Sequence, residues 1–136
     1  MKWSELNMRS NWLVVGLCLL SLALSVSATV PSDAEAIELD QSVEGIAPGA
    51  YYKVEVPAPG TLSVVMEEVP SQMMTRLIIM NDAGAWFEKT ADNPGELITL
   101  DAPADASGWY VIEVIDTFGQ GGPAQGSPYT FRATLG

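Results

Sequence analysis

Apolar and polar residues alternate with a period of two along most of this chain. In "YYKVEV", Tyr52, Val54 and Val56 alternate with Lys53 and Glu55. That is the mark of a strand with one buried face, because successive side chains of a strand point to opposite sides of its sheet. "TLSVVMEEV" puts Leu62, Val64 and Met66 on one face, "WYVIEVID" puts Tyr110, Ile112 and Val114 there, and "YTFRATL" does the same with Tyr129, Phe131 and Ala133. "RLIIM" is apolar on both faces, "AWFEKT" and "ELITL" read as shorter strands, and an early strand is expected around Ile37–Val43. Between these runs stand "PAPG" (57–60), "NDAG" (81–84) and "ADNPG" (91–95), whose Pro, Gly, Asn and Asp favour turns. No segment carries a sustained helical stripe. About eight short strands separated by such turns predict an all-β fold, an antiparallel β-sandwich of jelly-roll-like kind. An up-and-down barrel is the other arrangement the pattern allows. The stretch Thr117–Ser127 reads as a long, flexible strand connection shaped by Pro123 and Pro128.

The first residues break the pattern. "MKWSELNMRSN" brings Lys2 and Arg9, "WLVVGLCLLSLAL" is continuously apolar, and "SVSA" ends in small residues. A basic start, a short apolar core and a small-residue exit describe a secretory signal peptide with cleavage after Ala28. The apolar run falls short of the roughly 20 residues that cross a bilayer as a helix, so no stable membrane insertion is expected after cleavage. This divides the chain into a signal peptide (1–28), an acidic flexible lead-in (29–35) and a sandwich domain (36–136). Cys18, the one cysteine, lies within the signal, and Leu17 stands before it where a lipoprotein signal would carry a small residue. The mature domain must therefore be held by a packed core rather than by disulfides.

Charge and composition narrow the chemistry. The chain carries a net charge of −11. Removing Lys2, Arg9 and Glu5 from six basic and seventeen acidic residues leaves four against sixteen, a net of −12. Such a surface repels nucleic acid and anionic lipid. With no histidine in the sequence, Ser-His-Asp triads and histidine zinc sites are ruled out, and without a mature cysteine so are thiol nucleophiles. "GQGGPAQG" lacks the lysine of a phosphate-binding loop. The residues point to a protein that is not an enzyme and requires no cofactor.

Two kinds of binding remain. Calcium takes six to eight oxygen ligands and can gather them from loops. The candidates are Asp33, Glu35, Glu38 and Asp40 in and after the lead-in, Asp82 in its turn and Asp116 at the mouth of the long loop. The same acidic stretch also serves as a solvated edge that discourages strand-to-strand aggregation. The second kind is aromatic. Trp109 is out of phase with the Tyr110–Ile112–Val114 face, and Trp86 lies beside inward-phase residues. An exposed tryptophan stacks on sugars or docks peptides, whereas in a small sandwich a tryptophan more often fills the core or its rim. Trp109, Asp116 and Trp86 are the candidate ligand-binding residues.

The order "SVEGIAPGAYYKVEVPAPGTLSVVM", "LIIMNDAG", "GWYVIEV" and "GSPYTFRAT" resembles the bacterial pre-peptidase C-terminal domain over roughly residues 36–136. The chain departs from that family's pattern at "PGAYY", where an Asp often precedes the aromatic, and at "MMTRLII", where an acidic residue is usual. The resemblance implies an exported, non-catalytic sandwich module that supports or accompanies secreted enzymes, with calcium or matrix binding in some relatives. The expected partners are a secreted protein or a polysaccharide. The expected location is the periplasm or the exterior, and the expected state is a monomer. A structural or adhesion component of the cell envelope and a small carbohydrate-binding module are the alternatives.

Overall fold

The computed structural model describes residues 33–136. The expected signal peptide (1–28) and most of the expected lead-in (29–35) lie outside the described residues. Nine strands follow one another: β1 (Glu35–Ile37), β2 (Ser42–Ile46), β3 (Gly49–Val56), β4 (Gly60–Glu68), β5 (Thr75–Asn81), β6 (Trp86–Thr90), β7 (Thr99–Ala104), β8 (Gly108–Asp116) and β9 (Pro128–Leu135). They form a five-stranded sheet, β1-β3-β8-β5-β6, and a four-stranded sheet, β2-β9-β4-β7. From β2 onward only the β5–β6 hairpin stays within one sheet, and every other connection crosses to the opposite one. That interleaving is the jelly-roll way of making two sheets share one core.

The inner faces are those the alternation marked. Tyr52, Val54 and Val56 of β3, with Tyr110, Ile112 and Val114 of β8, meet Leu62, Val64 and Met66 of β4 and Tyr129, Phe131 and Ala133 of β9 in a single buried cluster. Each such side chain contributes about 1.5–3 kcal/mol when fully buried, which lets a domain without disulfides stand on its core.

Four expectations need correction. The described strands number nine, because the single early strand divides in two across the sheets. Asp40 adopts a left-handed backbone (φ 65°), and this turn carries the chain from β1 in one sheet to β2 in the other. Nor is the sandwich wholly antiparallel, since β1 pairs parallel to β3, with Glu35 beside Tyr52 and Ile37 beside Val54. The strand expected at "ELITL" begins later. Glu96 turns its carboxylate back onto the N–H groups of Asp92 and Asn93 (2.8 and 3.1 Å), which closes a turn and leaves Leu97 exposed. The strand then runs on through Pro103, tolerated because β7 is an edge strand.

Thr117–Ser127 is not an open connection either. The N–H groups of Gly119, Gly122, Gln125 and Ser127 each bond to the carbonyl three residues earlier, in four successive turns. Ala47 exchanges backbone bonds with Ser127 and Gly126 across the loop, and Ala124 is buried in the core.

Candidate functional site

The outer face of the five-stranded sheet carries the candidate site. On β8, the residues that alternate with the core are Trp109, Val111, Glu113 and Ile115; on β5 they are Arg76, Ile78 and Met80. Register aligns them across the sheet. Trp86 of β6 pairs with Met80 of β5, Met80 with Val111 of β8, and Val111 with Lys53 of β3. Trp109 pairs with Glu55, one step along. Trp86 and Trp109 therefore share one face, separated by the strand β5, and both are open to solvent at 56% and 45% exposure. Neither fills the core. Both stand on the outward phase of their strands, where the smaller Val111 and Ile78 are covered.

Each ring is held by charged neighbours. The Trp86 Nε1–H donates to Glu88 Oε1 at 2.8 Å, and the same oxygen accepts from Arg76 Nη2 at 2.9 Å. These two bonds, the indole's first and the guanidinium's second, hold the Glu88 carboxyl below its ordinary range. Lys53 extends over Trp109, its Nζ 5.3 Å from the ring centroid, within the reach of a cation–π attraction. An aromatic side chain ordered before its ligand arrives loses less entropy on binding. Beside Trp109 lies an open groove of about 610 Å³, lined by Ile37, Glu38, Leu39, Glu55 and Pro57.

Asp116 is placed otherwise. It ends β8 while Trp109 stands near its start, seven residues or about 24 Å away at strand rise, so the structure does not bring the two together. Asp116 is 1% exposed. Its Oδ1 accepts from the N–H groups of Met74 and Phe118, both at 3.1 Å, fastening the approach to β5 and the start of the long loop. Among the described residues its Oδ2 is buried without a hydrogen-bond partner, as is the hydroxyl of Thr75, its register neighbour on β5.

The calcium candidates are likewise divided. Asp33 lines a groove with Asp116, Tyr51 and Glu113 at the Gly49 end of the sheet. Asp82 follows the far end of β5, whose first residue pairs with Asp116. Glu35 is on β1, Glu38 follows it beside Trp109, and Asp40 occupies the turn between sheets. Among the described residues, no three carboxylates gather closely enough to hold a metal ion.

Sequence reasoning missed the partners of the tryptophans. Lys53 and Glu55 stand on the outward phase of β3, which was readable. Their contact with Trp109 depends on the β3–β8 register, 54 positions apart for Glu55 and Trp109. The hairpin "RLIIMNDAGAWFEKT" was the nearer signal, since Arg76, Trp86 and Glu88 fall on one face once its turn is placed.

The fold and the outer-face tryptophans together define a small β-sandwich module. Among the solved structures it is similar to is the pre-peptidase C-terminal domain of a collagenase from Bacillus anthracis, with a TM-score of 0.53 and 14% identity over 76% of this chain and 97% of that one. No family model matches the sequence, and no curated protein matches it. The likeness is one of fold, and it is the fold to which the order of strands and turns pointed.

Proposed function

We propose that this chain is a non-catalytic, exported binding module that engages a secreted protein or a polysaccharide through the outer face of its five-stranded sheet. The observation that carries this reading is the pair of exposed tryptophans on one face, each ring ordered by charged neighbours. A sheet face that served only as a solvated surface would not need two large apolar rings held in the open. The signal-like first 28 residues support export, and the fold it shares with a collagenase domain fits an accessory role beside secreted enzymes. The absence of histidine from the sequence supports binding over catalysis.

A glycan and peptide array tests the reading, with Trp109→Ala and Trp86→Ala as controls. The expected result is a signal that either substitution reduces. An array blank for the intact domain would overturn it. Calcium stands outside this reading, because Asp33, Glu35, Glu38 and Asp40 do not gather into one site among the described residues. A ligand of the native state raises its stability, so a Tm raised by millimolar Ca²⁺ over chelator is the result that would bring calcium in.

A further inference from the structure

We infer that the groove beside Trp109 takes a basic side chain, lysine or arginine, from a partner polypeptide; this rests on the binding-module reading and names its ligand.

Glu55 lies directly across from Trp109 in the β3–β8 ladder. Glu38 follows the last β1–β3 pair, Ile37 with Val54, so the alternation sets it next to Glu55 on the outer face, and both line the groove. Two carboxylates on neighbouring positions of adjacent strands repel one another. Neither forms an ion pair among the described residues, where Arg76 is engaged with Glu88 and Arg132 with Glu67. A cation placed between them removes the repulsion and gains two attractions.

The Trp109 ring at the groove's edge already attracts a cation. Lys53 lays its ammonium over the Trp109 ring, within the chain's own surface. The remaining walls, Ile37, Leu39 and Pro57, are apolar, and suit the aliphatic stem that a lysine or arginine carries behind its charge. At a net charge of −11, the whole molecule draws a basic partner toward the site. A neutral glycan would use the ring but leave the two carboxylates opposed, so the groove favours the polypeptide.

Lys53 then acts as an internal competitor for the ring, which gives the test a sign that a plain aromatic patch would not show. Calorimetric titration uses the whole domain with a short Gly/Ser peptide carrying two arginines, and the same peptide with glutamates in their place. The arginine peptide is expected to bind and the glutamate peptide not. Trp109→Ala and the double variant Glu38→Gln/Glu55→Gln should each weaken binding about tenfold. Lys53→Gln should strengthen it severalfold. A control double variant, Glu68→Gln/Asp92→Asn, removes the same charge from the other sheet and the β6–β7 loop, and should change affinity less than about twofold. Equal weakening by the control, an unchanged Trp109→Ala variant, or no binding of the arginine peptide would overturn the inference. If the array finds a Trp109-dependent glycan or neutral peptide while the arginine peptide fails, the binding-module reading stands and this inference alone falls.

Discussion

The hydroxyls of Tyr52 and Tyr129 meet at 2.7 Å, both fully buried. Tyr52 belongs to β3 of the five-stranded sheet and Tyr129 to β9 of the four-stranded one, so this hydrogen bond joins the two layers through the core. Phe131 packs edge-on against Tyr52 at 4.8 Å between ring centroids. Removing one hydroxyl strands the other without a partner, at a cost of about 1–3 kcal/mol. Tyr129→Phe and Tyr52→Phe should each lower stability by that amount in urea unfolding. The double variant should cost less than the sum, because no orphan remains.

Gly45 exists for the same pair. A Cβ at this position would stand 2.2 Å from the Tyr52 hydroxyl and 2.4 Å from that of Tyr129. Gly45→Ala should therefore destabilise by about 1–3 kcal/mol through overpacking. Part of that loss should disappear in the Tyr52→Phe/Tyr129→Phe background, and chemical denaturation of the four variants measures the coupling.

Burial pushes both phenols up from their ordinary value of 10.0. Above about pH 10 the unfolded chain releases these protons while the folded chain keeps them. Their contribution is therefore complete below pH 10 and is lost as pH rises beyond it. Thermal melts between pH 8 and 11 should show a falling alkaline limb that the double phenylalanine variant flattens.

At the acid end, Glu67 works in the opposite direction. Its carboxylate accepts from Ser42 Oγ at 2.5 Å and from Arg132 Nε at 3.0 Å, and these bonds, the serine's first, hold it below the ordinary 4.5. The link joins β2, β4 and β9, and it sits where the β4–β9 register shifts by one residue. Its stabilisation is present above pH 4.5 and fades as pH falls through the depressed value. Glu67→Gln should lower stability modestly near neutral pH, converge with the parent protein as pH falls below the depressed value, and so make the melt less sensitive to acid.

Asp116 should behave as a fastener rather than a ligand. Asp116→Ala removes the acceptor of two backbone N–H groups and should cost about 2–4 kcal/mol. Asp116→Asn keeps an acceptor oxygen and should cost less. Hydrogen exchange at Met74 and Phe118 would report the loss locally.

The alternation of apolar residues made four inner faces legible, those of β3, β4, β8 and β9, because a period of two follows from strand geometry alone. It failed where a single residue changed direction. Asp40 in a left-handed turn split the first strand, and nothing in "ELDQS" marks that as glycine would. Glu96 reads as part of a strand until its carboxylate is seen closing a turn, and Pro103 hid the real extent of β7. For the candidate site, the phase of Trp109 on β8 marked it as outward, while its size in a small sandwich pointed to the core or rim. Its company was not legible: Trp86, Lys53 and Glu55 reach that face through long-range pairing that no local pattern encodes. The separation of Trp109 from Asp116 was in the sequence all along, since one strand holds both and only its length sets them apart.

β9 lies between β2 and β4. The strand formed last along the described chain is thus an interior strand, and among the described residues β2 has no other neighbour in its sheet. A ribosome that has delivered everything through β8 has delivered a five-stranded layer with half of its cover absent. Tyr52 then still awaits Tyr129, and the inner faces of β3 and β8 are open to any sticky surface nearby. Folding of this domain should be a late, concerted event dominated by distant pairings, and correspondingly slow. Purified chains truncated before Pro128 should be protease-sensitive throughout, and the domain carried through Gly136 protected.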